Sequence, residues 1–75
     1  MNDAGIKTTI AIIEKVAEEE YPDATANTMI DELSIDSLDL FTVIGDLEEE
    51  TGRSMSDEEM GRVATIGDLV KHFYG

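Results

Sequence analysis

Apolar positions recur at helical spacing in three blocks, separated by stretches rich in turn-forming residues. In the first block, Ile6, Ile10, Ile13 and Ala17 form one stripe, with Val16 on its flank and Ile12 well off it. This spacing predicts a helix from about Asp3 to Tyr21, closed by Pro22, which has no N–H to continue it. Glu18, Glu19 and Glu20 then fall at the helix C-terminus, where anions oppose the dipole by about 0.3–1 kcal/mol each. They read as a solvated face. In the second block, Leu40, Val43, Ile44, Leu47 and Thr51 share one face, and the helix predicted over 37–51 stops at Gly52, a natural C′ residue. Leu38, Phe41, Thr42, Gly45 and Glu49 lie on the opposite face, so this helix has apolar surface left over for a partner. In the third block, Ile66, Leu69, Val70 and Phe73 are spaced i, i+3, i+4, i+7.

The segments between these blocks carry their own signals. From Pro22 to Ile35 there is no long period; Asp23, Asn27, Asp31 and Ser34 supply turn chemistry, while Met29, Ile30, Leu33 and Ile35 need cover. A short helical turn can be accommodated there. Ser56-Asp57-Glu58-Glu59 is a capping box opening a short helix that ends by about Val63, and Thr65-Ile66-Gly67-Asp68 offers a similar start for the last helix. No strand pattern, repeat or low-complexity segment is present. The expected fold is all-α: a four-helix bundle with three longer helices and one short third helix, a single domain over residues 1–75.

Composition narrows the function classes. The 75 residues hold 5 Lys and Arg against 18 Asp and Glu, a formal net charge of −13. That charge excludes nucleic-acid binding by phosphate neutralisation and opposes anionic membrane surfaces. It favours partners with basic patches, reached by steered, salt-sensitive association. At 41% hydrophobic residues with clear helical spacing, the chain is a folded domain rather than a disordered acidic tail. No cysteine is present, so disulfides and thiolate metal sites are excluded. No apolar run resembles a signal peptide or a membrane span, and the expected location is the cytoplasm, as a monomer.

The candidate chemistry lies at the mouth of the second helix, in Leu33-Ser34-Ile35-Asp36-Ser37-Leu38-Asp39. Asp36 is a natural N-cap, which leaves Ser37 exposed in the first turn, where free N–H groups and the dipole favour a phosphate. An autonomous serine hydrolase is excluded: the only histidine, His72, lies near the C-terminus as a surface residue, and no Gly-x-Ser-x-Gly elbow is present. A calcium-binding EF-hand fails as well. Counted from Asp31, the ligand and glycine places hold Leu33, Ile35, Asp36 and Thr42. Loose divalent binding by the acidic clusters stays open.

Asp36-Ser37-Leu38-Asp39, with Leu33-x-Ile35 before it and Leu40 to Gly52 after it, resembles the prosthetic-group site of acyl carrier proteins, and the resemblance covers nearly the whole chain. It implies a function as carrier of acyl groups, as thioesters, for enzymes of fatty acid, lipid or polyketide-type biosynthesis, without catalysis of its own. The cofactor would be 4'-phosphopantetheine, placed on Ser37 by a phosphopantetheinyl transferase, with Asp36 helping to position that enzyme's metal. Leu38, Asp39, Phe41, Gly45, Glu48 and Glu49 would form the docking face. Val43, Ile44, Leu47, Ile66 and Leu69 would line an interior able to shelter the acyl chain.

Thr42, Gly45 and Ser56 depart from the residues usual in the family, which points to a specialised member. Gly45 costs roughly 1 kcal/mol relative to alanine within a helix, and it reads either as a neutral surface residue or as a place of close approach. The alternative function is an acidic helical interaction module using the Leu38–Phe41 patch without a covalent group.

Overall fold

A computed structural model describes residues 2–75. Four helices follow one another: α1 (Asp3–Ala17), α2 (Ser37–Thr51), α3 (Asp57–Met60) and α4 (Ile66–Tyr74), with a 3-10 turn at Ile30–Glu32 in the long connection before α2. This is the expected four-helix bundle with a short third helix. Among the described residues no helix is long and apolar enough to cross a membrane.

Helix starts follow local chemistry. Asn2, Asp36, Ser56 and Thr65 each accept a backbone N–H of the first turn through a side-chain oxygen, and the last three form reciprocal capping boxes with Asp39, Glu59 and Asp68. Helix α2 ends on Gly52 at φ 74°, the left-handed conformation that glycine adopts without strain.

Helix α1 is shorter than its periodicity predicts, ending at Ala17 rather than Tyr21. Glu18 turns left-handed at φ 55°, and Glu14 Oε2 reaches forward to accept the Tyr21 N–H at 2.7 Å. The Tyr21 hydroxyl in turn accepts the Ser34 N–H at 2.9 Å. Continuing the helix would break both bonds and keep three carboxylates on its negative pole. The buried stripe is also rotated from the predicted one. Gly5, Thr9 and Ile13 are buried, whereas Ile6, Ile10 and Ala17 are half-buried. Gly5 belongs to this contact, because a Cβ there would come within 2.7 Å of Tyr74 Cγ. Its bare backbone lets α4 lie close against α1.

The third helix stops at Met60, one turn before Val63, as its chain passes into turns at Gly61 and Arg62. Ile66, Leu69, Val70 and Phe73 of α4 enter a single core with Ile13, Ile30, Leu33, Val43, Ile44 and Leu47. The connection before α2 is stitched to the segment before α4. Ile30 N–H donates to Ala64 O at 2.8 Å, Ile66 N–H to Thr28 O at 3.0 Å and Gly67 N–H to Ala26 O at 2.8 Å. Buried Ile30 and Leu33 pin the same connection from inside, and together these anchors fix where α2 begins.

Candidate functional site

The mouth of α2 is closed by two aspartates acting on each other. Asp36 Oδ1 accepts the Asp39 N–H at 2.9 Å, and Asp39 Oδ2 accepts the Asp36 N–H at 3.2 Å. Ser37 lies between them as the first residue of a 15-residue helix, and its side chain is exposed. Behind it, Ile35 packs against the core and Ser34 is held by Tyr21. The hydroxyl therefore stands on a fixed platform and is open to solvent.

A groove of about 300 Å³ runs beside Ser37, lined by Ile30, Asp31, Ile35, Asp36, Ser37 and Leu40. Its walls mix aliphatic and carboxylate side chains.

Along α2 the expected outward face is outward. Leu38 is 75% exposed and Phe41 51%, high values for side chains of their size, and Thr42, Gly45 and Glu49 are exposed beside them. Two of the acids also serve the chain itself: Asp39 closes the capping box, and half-buried Glu48 accepts the Met55 N–H at 2.9 Å, holding the segment that leads into α3. On the inner side Val43, Leu47 and Leu69 are fully buried, with Ile66 and Ile44 nearly so. These five form the closed centre of the core.

His72 is not the free surface residue expected from its place near the C-terminus. Half-buried, its Nε2 lies 2.8 Å from Ser54 O and its Nδ1 3.7 Å from Glu59 Oε2, so the ring ties α4 to the start of α3. No spacing rule could show this contact, which joins residues 18 apart in sequence. Ionisation at the capping boxes follows the same hydrogen bonds. The Ser56 backbone and hydroxyl, with lesser help from His72 and Arg62, hold Glu59 below the usual carboxylate range. The Ala64 and Thr65 N–H groups do the same for Asp68. Burial, reinforced by the Glu50 charge, pushes the Tyr74 phenol up.

Similarity to known proteins agrees with this geometry. The family model described as "Phosphopantetheine attachment site" matches residues 5–73. The acyl carrier protein of Thermotoga maritima is 33% identical over 66 residues, which cover 88% of this chain and 82% of the relative. A solved structure of a Mycobacterium tuberculosis chain assigned as an acyl carrier protein aligns with a TM-score of 0.81 at 29% identity, covering 91% of this chain and 92% of that one. Proteins of this kind carry 4'-phosphopantetheine covalently on a serine and act as carriers rather than enzymes, serving a phosphopantetheinyl transferase and biosynthetic enzymes. An interaction module with no prosthetic group does not fit that match. With the match running from α1 into the last turn of α4, the chain belongs to the phosphopantetheine-binding family of acyl carrier proteins.

Proposed function

We propose that Ser37 is the serine that bears the 4'-phosphopantetheine arm, and that the chain ferries acyl groups between enzymes of fatty acid, lipid or polyketide-type biosynthesis. One observation carries the assignment: Ser37 is the only one of the four serines that is both exposed and seated in the first turn of a long helix. Ser56 also starts a helix, but its hydroxyl accepts the Glu59 N–H at 3.1 Å and α3 is only 4 residues long. Ser34 lies in the connection, its N–H bound to Tyr21, and Ser54 in the segment before α3, its carbonyl facing His72.

When bound, the arm supplies a terminal thiol that holds an acyl group as a thioester. The chain's own residues provide the surroundings. The first-turn N–H groups and the dipole of α2 favour a phosphodiester at Ser37 and offset part of the repulsion from Asp36 and Asp39. Those two carboxylates close the turn, and Asp36 helps to position a metal brought by the transferase. Leu38 and Phe41 provide apolar contact for partners, while Asp39, Gly45, Glu48 and Glu49 complete the docking face toward their Lys and Arg side chains. Val43, Ile44, Leu47, Ile66 and Leu69 part to admit an acyl chain, each sheltered CH₂ gaining ~0.8 kcal/mol before the cost of opening the core. The carrier works as a monomeric, single domain over residues 1–75, in the cytoplasm beside its coenzyme A-dependent partners.

Intact-mass measurement after incubation with coenzyme A and a phosphopantetheinyl transferase of broad specificity tests the reading. Wild-type protein is expected to gain one whole arm and Ser37→Ala none. An unmodified wild type, with a control carrier modified in the same tube, contradicts the proposal.

A further inference from the structure

A hydroxyl buried without a hydrogen-bond partner weakens a fold, because it gives up water and gains nothing in return. Thr9 is in that position. It is fully buried on α1, and its Oγ1 has no hydrogen-bond partner among the described residues. On α2, Thr42 and Thr51 donate to carbonyls one turn back, Leu38 O at 3.1 Å and Leu47 O at 2.7 Å. Thr9 makes no such bond to Gly5 O. Tyr74 Oη is also without a partner by this measure, but its ring is half-buried and the Thr8 hydroxyl lies near it. Valine has nearly the shape of threonine and no polar atom. Nothing inside the empty chain therefore gains from the Thr9 hydroxyl.

The place of Thr9 says what could meet it. It shares the inward face of α1 with Ile13, one turn on, and Ile13 lies in the same core as Val43, Ile44, Leu47, Ile66 and Leu69. Glu14 is bound to Tyr21 and Tyr21 to Ser34, which puts the end of α1 on the side of the bundle where Ser37 stands. Thr9 lies five residues before Glu14, about 7.5 Å deeper along the axis at about 1.5 Å per residue. Its neighbours Gly5 and Thr8 share a groove with Glu50 and Thr51, at the far end of α2. An acyl chain entering the core from the Ser37 side meets Thr9 with its remote carbons, not with those beside the thioester.

We propose that Thr9 is a specificity-determining residue for cargo, its hydroxyl pairing with a hydroxyl group on the remote part of the acyl chain. The inference rests on Ser37 bearing the arm and on the core admitting the chain. A plain hydrocarbon chain leaves Thr9 Oγ1 unpaired, whereas a hydroxylated chain brings the missing partner. Sites built to bond a hydroxyl discriminate strongly against analogues that lack it, because the buried polar group is then left alone.

The test loads whole acylated arms from acyl-coenzyme A donors, through the broad phosphopantetheinyl transferase, onto wild type, Thr9→Val and Thr9→Ser. Loading is read by intact mass and stability by Tm. The chains are octanoyl and octanoyl bearing a hydroxyl at the fifth, sixth or seventh carbon. With an arm but no cargo, Thr9→Val is expected to melt several degrees above wild type, since it removes the unpaired atom. In wild type and Thr9→Ser, at least one hydroxylated chain should raise Tm more than octanoyl does. In Thr9→Val, octanoyl should raise it most. A Thr9→Val chain that melts at or below wild type overturns the inference, because the hydroxyl then already has a partner. Octanoyl ranking first in loaded wild type also overturns it and leaves the attachment site standing. A wild type that takes no arm overturns the attachment site and this inference together.

Discussion

Residues that define the site act over three positions or fewer, and that makes them readable. Asp36 and Asp39 exchange side-chain-to-backbone hydrogen bonds across one turn, as do Ser56 with Glu59 and Thr65 with Asp68. Such pairs are visible in any sequence that puts an oxygen at the cap and an acid three residues on. Asp36→Ala removes the acceptor for the Asp39 N–H and is expected to cost about 1 kcal/mol in urea denaturation, by loss of an N-cap. A stability equal to wild type would mean that water or Ser37 caps the turn equally well. Tyr21 and Glu14 illustrate what residue-scale reading misses. Their bonds to Ser34 and to the Tyr21 N–H join residues 13 and 7 apart, through a chain reversal that no local rule specifies.

At the scale of elements, α2 and α4 lie where their periods put them, because each has one strongly apolar face and a cap at its start. The exit of α1 does not. Its end depends on Glu14 and Tyr21, and its rotation depends on Tyr74 meeting a glycine. Tyr21 and Tyr74 lie outside the helix, so hydrophobic spacing finds Ile6, Ile10 and Ile13 against the core but not the buried Gly5 and Thr9 beside them.

The start of α4 offers a pH test. Asp68 accepts N–H bonds from Ala64 at 2.8 Å and Thr65 at 3.0 Å, and these hold its folded pKa below the unfolded value of about 3.9. A lowered folded pKa stabilises the protein above the unfolded value, and this contribution is lost as pH falls through the folded one. Asp68→Asn is therefore expected to melt below wild type at pH 7, with the gap closing as the pH is lowered past about 4. A gap that is constant across this range would mean that the charge contributes nothing.

For the whole molecule, the dominant fact is charge. A net −13 on 75 residues repels itself in the folded state more than in the extended chain. Raising ionic strength from about 0.01 to 0.15 M shortens the screening length from about 30 to 8 Å and is expected to raise Tm. An insensitive Tm would show that the acids are already spaced beyond mutual reach. In the function proposed above, the same field draws cationic enzymes to α2, and salt screens that attraction. Charge and length were legible from the sequence, and so was the bundle. The stitching of the 22–35 connection to Ala64 and Ile66 was not, yet it holds Ser37 at the surface.

That placement is the central claim, and peptide-level mass spectrometry tests it most directly. After treatment with transferase and coenzyme A, digestion and fragmentation should find the arm on Ser37, with Ser34, Ser54 and Ser56 bare. An arm on any of those three, or on none, would contradict the account.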